Sequence, residues 1–359
     1  MIYNDIRRPT HAVRVGNITI GGTAKIAVQS MTNTDTHDKE ATMRQVLALQ
    51  AAGCDVVRFT VPDLAAADTV TYLKEAGVSV PLVADIHFDY RVALACAERG
   101  VDKIRINPGN IGDDSRVREV AAACRQRGIP IRIGVNGGSL EKEILAKHGA
   151  PTASALAESA LYHAALLEKC DFEDVVISIK SSDVSNMIAA NRMLAQKTAY
   201  PLHLGVTEAG RGEMGSIKSA IGIGALLADG IGDTLRVSLT ADPVDEVAAA
   251  KRILSALAVK GQCGLDIVSC PTCGRTKIDL VRLAAEFEAV ATAEGLMDMP
   301  LRVALMGCAV NGPGEAREAD IGICGGVGEA LLIAKGEIIG KITEDRIIPT
   351  LIEELKKRR

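Results

Sequence analysis

The chain has 359 residues, 48% of them hydrophobic, with 41 Lys and Arg against 45 Asp and Glu and a formal net charge of −4. That length holds one large domain and a smaller one, and the slightly acidic balance excludes a dedicated nucleic-acid binder, which carries a basic surplus. No run approaches the roughly 18 apolar residues of a membrane span, and Met1–Pro9 lacks the apolar stretch of a signal peptide. A cytoplasmic location with no membrane partner is therefore expected, and the nine cysteines are read as free thiols or metal ligands, not disulfides.

In chain order, Val13–Ile20 around Gly16-Asn17 predicts a β-hairpin placed to plug a barrel floor. Eight short, β-branched runs come next: Lys25–Ser30, Val56–Thr60, Pro81–Ile86, Lys103–Asn107, Pro130–Asn136, Asp174–Lys180, Pro201–Thr207 and Asp233–Leu239. Helical periodicity separates them, as in Glu40–Ala52, Arg91–Arg99, Ser115–Arg127 and Val184–Lys197. Glycines 53, 77, 100 and 128 stand where left-handed helix stops belong, and Asp242-Pro243 reads as an N-cap followed by proline at the first helical position. The connection over 137–172 is long and carries a helix near Ala153–Lys169. Eight β-then-α units predict an α/β chain built on a (β/α)8 TIM-type barrel, residues 1–260. A doubly wound sheet is the competing architecture, weakened by the lack of a glycine fingerprint after the first strand. After Lys260 the pattern changes. Strands at Leu265–Ser269, Leu301–Met306, Asp320–Cys324 and Glu337–Ile342, with helices at Asp279–Glu294 and Arg346–Lys356, predict a small α+β domain over 261–359.

Barrel enzymes place their chemistry at the C-terminal ends of the strands. Here those ends carry Arg58, Arg105, Asn107, Arg132, Asn136, Lys180, Arg236 and Ser238. Within a strand the polar residues lie two or four apart, so they share the inward face, while Ile106, Ile133, Val135 and Val237 face the helices. Five converging cations call for a polyanion such as a diphosphate; the blander reading pairs each with a local carboxylate. Asp85, with His87 on the same parity, and Glu208 are acid–base candidates on that rim. His11, His37, His148, His163 and His203 lack ligand spacing and read as structural or surface residues. The glycine runs 222–224 and 322–328 match no nucleotide-loop pattern and read as tight turns.

Cys270 and Cys273 form a Cys-x-x-Cys pair, and Cys308 supplies a third thiol in another Gly/Pro-rich turn. A closed zinc site wants four Cys or His donors, and no histidine follows His203. Cys263, Cys324 and the carboxylate of Glu315 remain as a fourth donor. The spacing leaves an iron–sulfur cluster with one differently ligated iron and a structural zinc site both open. Cys324 lies in an apolar run and reads as core; Cys54, Cys96, Cys124 and Cys170 read as packing residues.

Gln29-Ser30-Met31-Thr32-Asn33-Thr34, Asp85-Ile86-His87-Phe88, Arg105-Ile106-Asn107-Pro108-Gly109-Asn110, Thr207-Glu208-Ala209-Gly210 and Cys308-Ala309-Val310-Asn311-Gly312-Pro313-Gly314-Glu315 together resemble the hydroxymethylbutenyl diphosphate synthase family of the non-mevalonate isoprenoid pathway, in its compact two-domain bacterial form. The resemblance runs along essentially the whole chain. It implies a [4Fe–4S] cluster on Cys270, Cys273, Cys308 and Glu315, a cyclic diphosphate substrate opened by two electrons, and flavodoxin or ferredoxin as electron donor. It also implies a homodimer in which the barrel of one subunit faces the cluster domain of the other. Asn311, beside Cys308, is expected to contact substrate. The alternatives are a barrel enzyme, perhaps pterin-synthase-like, with a structural zinc site, and a non-catalytic iron–sulfur sensor that has no use for the cationic mouth.

Overall fold

The computed structural model describes residues 5–359 apart from Asn311 and the side chain of Ser139. The chain divides into two compact units, Met1–Ile253 and Leu254–Arg359. The division falls earlier than the expected 260/261 junction. The last turn of the helix Pro243–Ala256 is tied to the segment after it: Gly264 N donates to Ser255 Oγ at 3.0 Å, and Val259 is buried.

In the first unit, β1 (Val13–Val15) and β2 (Ile18–Ile20) form the antiparallel hairpin. Then come β3 (Ala27–Met31), β4 (Val56–Thr60), β5 (Leu82–Asp85), β6 (Lys103–Ile106), β7 (Ile131–Asn136), β8 (Val175–Lys180), β9 (His203–Leu204) and β10 (Thr234–Leu235). They lie in one parallel sheet in the order β8-β7-β6-β5-β4-β3-β10-β9, and a parallel bridge from Ile177 to Leu202 joins its two ends. The barrel is thus closed, and the doubly wound alternative falls. Buried Val13, Val15 and Ile20 pack against Ala27, Val56, Val83 and Val176, the lowest inward residues of four strands. The hairpin is the floor of the barrel.

The helices between strands begin where short polar side chains cap free N–H groups. Asp38, Asp89, Asp113, Thr152 and Asp183 each accept from the first turn of the next helix. Asp242 does the same for Val244 N at 2.9 Å. The last two strands are shorter than their sequence runs suggest. Their chains stay extended past the ladder, with Arg236 N donating to Leu204 O at 2.9 Å, but regular pairing stops after two residues. The turn expected at 222–224 is instead the middle of the helix Gly212–Ala228. A Cβ at Gly222 would fall 2.6 Å from Val206 Cγ2 and 2.7 Å from Met187 Cε. This glycine therefore permits a close approach of helix to barrel rather than a turn.

The second unit is a five-stranded sheet, β11 (Asp266–Ser269), β12 (Arg302–Met306), β13 (Ile321–Gly325), β14 (Glu329–Ala334) and β15 (Glu337–Thr343), in that spatial order. The first three strands are parallel, the rest antiparallel. Helices Leu280–Ala293 and Ile347–Lys356 cover one face, where Phe287 and Leu351 are buried with Val303, Leu305, Ile321 and Ile323. Strand β14 was not expected, and the glycine run 322–328 is only partly a turn. Its first half is β13, paired on both sides. Sheet pairing here overrides the turn preference of isolated glycines.

Candidate active site and cluster pocket

Strand register assembles the rim. Asp85, Arg105 and Arg132 are Cα partners across β5, β6 and β7; Met31 pairs with Arg58, and Asn136 with Lys180. Asp85, 3% exposed, is the hub. Its Oδ1 takes Arg105 Nη1 at 3.1 Å, its Oδ2 lies 3.5 Å from Arg58 Nε, and His87 Nε2 is 4.0 Å away. Burial alone would raise this carboxyl, but Arg58, Arg105, His87 and Arg132 outweigh it and hold the group at about 2. Arg58 also donates to Met31 Sδ, at 2.8 Å from Nη2.

Arg105 Nη2 donates to Gly134 O at 2.9 Å, and Gly134 N donates to Asn107 Oδ1 at 3.2 Å. A Cβ at Gly134 would overlap the Arg105 guanidinium, so only glycine lets that side chain lie flat on β7. Arg236 is held by two hydrogen bonds to buried Glu246, Nε to Oε2 at 3.1 Å and Nη2 to Oε1 at 2.9 Å. Ser30 Oγ and Leu239 N donate to the same carboxylate at 2.8 and 3.1 Å. Sequence reasoning missed Glu246. It sits in the first turn of the helix after β10, and the only hint was its place in that helix start.

The local-carboxylate reading accounts for Arg58, Arg105 and Arg236 but leaves two cations over. Arg132 is 1% exposed, and neither its Nε nor its Nη2 makes a hydrogen bond among the described residues. Lys180 is buried, and burial, then Arg58, Arg132, Arg236 and Arg105, push its ammonium well below its usual value. Among the described residues these five basic side chains thus meet two carboxylates, Asp85 and Glu246. Burying that surplus costs several kcal/mol per ion unless an anion completes the site.

Beside the rim, Glu208 is exposed and adopts φ +53°, a left-handed backbone uncommon outside glycine. It lines a cleft of ≈1030 Å³ with Asn136, Thr207, Ser181 and Asn186. Ser238 is half-buried beyond β10, and the His87 side chain is 47% exposed. Asn311 lies outside the described residues. Of the histidines read as structural, His203 is fully buried in the lumen, with Nδ1 3.4 Å from Thr234 Oγ1.

In the second unit, Cys270 follows β11 and Cys308 follows β12, so two adjacent parallel strands deliver both thiols to one edge. Gly307 N donates to Cys270 Sγ at 3.3 Å. The Cys-Pro-Thr-Cys turn is closed by Cys273 N donating to Thr276 Oγ1 and Thr276 N to Cys273 O, both at 3.0 Å, with Thr272 at φ +65°. Cys270, Cys273, Cys308 and Glu315 all line one pocket of ≈200 Å³, with Arg275 at its edge. Among the described residues no three Cys, His, Asp or Glu side chains converge on one point. Cys263 bonds back to Val259 O and is not in this lining. Cys324 is buried, and burial, then Cys308, Glu315 and Cys270, push its thiol up to about 12. Burial likewise pushes Cys54, Cys96 and Cys124 up to about 12, as packing residues should be.

A closed parallel barrel with a cationic rim, followed by a unit whose pocket is lined by three cysteines and a glutamate, defines a two-domain α/β enzyme architecture. The chain belongs to the GcpE family: the GcpE TIM-barrel domain matches residues 10–251, and the GcpE protein C-terminal domain matches residues 266–357. It is 55% identical over 351 residues to the 4-hydroxy-3-methylbut-2-en-1-yl diphosphate synthase (flavodoxin) of Ruminiclostridium cellulolyticum, covering 98% of both chains. It is 56% identical to the synthase of the same name from Clostridium perfringens, covering 97% of this chain and 98% of that one. Among solved structures, a Xanthomonas albilineans dihydropteroate synthase is similar at 13% identity and a TM-score of 0.48, over 70% of this chain and 99% of that one.

Proposed function

We propose that this chain catalyses the reductive ring opening and dehydroxylation of 2-C-methyl-D-erythritol 2,4-cyclodiphosphate to 4-hydroxy-3-methylbut-2-enyl diphosphate, a two-electron step of the non-mevalonate (MEP) isoprenoid pathway. One oxygen leaves as water. The observation that carries this reading is the buried surplus of rim cations, above all Arg132, which fits a diphosphate, in a chain more than half identical to synthases of that name. The structural-zinc alternative has no observation in its favour.

Cys270, Cys273, Cys308 and Glu315 are assigned to a [4Fe–4S] cluster, which when bound supplies electrons singly to the substrate. Their pocket fits the group: three thiols and a harder oxygen donor, with Gly307 N set against one sulfur. Arg58, Arg105, Arg132, Lys180 and Arg236 grip the diphosphate and stabilise the charge that grows on the ring-opened phosphate. Asn107, Asn136, His87, Ser238 and Asn311 are assigned to orienting it. Glu208 is assigned the proton transfer to the departing hydroxyl, from the wall of the cleft. Asp85, held at about 2, stays ionised at neutral pH, so its part is to fix Arg58 and Arg105.

Flavodoxin, named in the relatives' activity, is the proposed electron donor, with ferredoxin as the other small carrier of the same kind. A cytoplasmic homodimer, with the barrel of one subunit serving the cluster domain of the other, completes the reading. Among the described residues no helix is long and apolar enough to cross a membrane. The deciding experiment is anaerobic iron and sulfide analysis coupled to turnover of the cyclic diphosphate with a chemical reductant. Brown protein with near-stoichiometric iron and turnover is expected. Colourless, zinc-containing protein without turnover sinks the assignment.

A further inference from the structure

Below the rim, inside the barrel, lies a residue that the reaction as described leaves without a task. Lys103 opens β6 two residues before Arg105, so both side chains point to the lumen. Lys103 is 0% exposed, and its Nζ makes no hydrogen bond among the described residues. Its Cα partner on β5 is Val83, part of the apolar layer on the floor hairpin. A lysine is rarely buried this way unless something pairs with it.

The groups around the lumen are almost all basic: Arg58 on β4, Arg105 on β6 itself, Arg132 on β7, Lys180 on β8, His203 on β9 and Arg236 beyond β10. Among the described residues β3 contributes the uncharged Gln29 and Met31, and β5 contributes Asp85, which is committed to Arg58 and Arg105. Glu246, from the helix after β10, is committed to Arg236. Burial, then Arg132 and Arg58, push the Lys103 ammonium well below its usual value. A polyanion seated on the rim offsets much of the positive field that Lys103 feels.

We propose that Lys103 is a positioning residue of the diphosphate site, which takes up a proton from solvent when the diphosphate docks and returns it when the product leaves. The inference rests on the rim binding a diphosphate. No bond other than N–H is made or broken at Lys103, and the solvent is both source and sink of the proton. The added positive charge therefore arrives with the ligand. It is present when ring opening turns a cyclic diphosphate diester into a diphosphate monoester with one more ionisable oxygen. A lysine that only fills space would exchange no proton.

The test is calorimetric titration of the full chain, cluster-loaded and kept from air, with methanedisulfonate. This dianion resembles a diphosphate and has no proton of its own to exchange. Runs near pH 8 in buffers of different ionisation enthalpy give the protons taken up per site. Wild-type protein is expected to take up at least about half a proton, with affinity falling by up to about tenfold per pH unit between the empty-barrel and the loaded values and levelling off above them. Lys103→Met is expected to take up less than the wild type and to show a shallower slope, the remainder belonging to Lys180. Lys103→Gln serves if the methionine variant fails to fold. Binding without uptake by the wild type, or uptake undiminished in the variant, overturns the role of Lys103 and leaves the rim assignment standing. No binding by wild type, with pyrophosphate also failing, overturns both.

Discussion

At the residue scale, Arg132 and Asp85 carry the tension of the site. Arg132 is buried with two donors unspent, a state that lowers the stability of the empty protein in exchange for anion affinity. Arg132→Met is therefore expected to stabilise the empty protein by about 1–4 kcal/mol, while pyrophosphate no longer raises its thermal midpoint as it does in the wild type. A variant that melts lower and still responds to pyrophosphate would refute the account. Asp85 gives a pH signature. Its carboxyl sits below the unfolded value, so its ion pairs contribute fully above about pH 4 and are lost as pH falls towards 2. The contribution is on the order of 2 kcal/mol. Denaturant unfolding at pH 5 and near pH 2.5 should show the wild type losing more stability than Asp85→Asn over that window. The variant itself starts lower, because Arg58 and Arg105 are left without their partner. The acid–base candidacy of Asp85 was legible from its place at a strand end. Its ionisation was not, since that depends on guanidinium groups delivered by two other strands.

At the element scale, the floor hairpin and the two cluster turns do separate work. The hairpin closes the lumen opposite the rim with Val13, Val15 and Ile20. Ile20→Ala should lower stability by about 2–5 kcal/mol, read from the denaturant midpoint of the barrel, with the iron content of the second unit unchanged. The cluster turns follow two parallel strands, and their thiols are the ends of that pairing. Cys308→Ser is expected to lose most of its iron and sulfide by direct analysis, while far-ultraviolet circular dichroism stays that of the wild type, because the cores of Phe287 and Met306 do not depend on that sulfur. The sequence runs placed most of these elements within a residue or two. They failed at Gly222–Gly224, where close packing of a helix on Val206 decides the conformation, and at Glu329–Ala334, where antiparallel pairing with the preceding strand does.

At the scale of the whole molecule, the proposed reaction needs the rim and the cluster to work on one substrate. If they do so across a homodimer, two dead variants can repair one another. Glu208→Gln lacks the proposed proton donor, and Cys273→Ser lacks a cluster thiol. Each alone should keep a small fraction of wild-type turnover, a loss of about 10²–10⁴-fold for the acid. Unfolded together and refolded as mixed dimers, they should recover about a quarter of it, because half the dimers are mixed and each of those has one complete site. No recovery in a verified mixed dimer would place the working rim and cluster within a single chain.

The sequence by itself determined which residue types face the lumen, because strand alternation has a period of two and needs no knowledge of neighbours. It likewise placed the thiols in glycine- and proline-rich turns. Depth and partnership were beyond it. Lys103 and Arg105 have the same parity, yet one is sunk towards the valine floor and the other reaches the Asp85 carboxylate. Arg236 looked as free as Arg132 until the next helix brought Glu246 against it. Those outcomes belong to the tertiary structure, because strand register and helix packing fix heights and distances, while the local pattern fixes only direction.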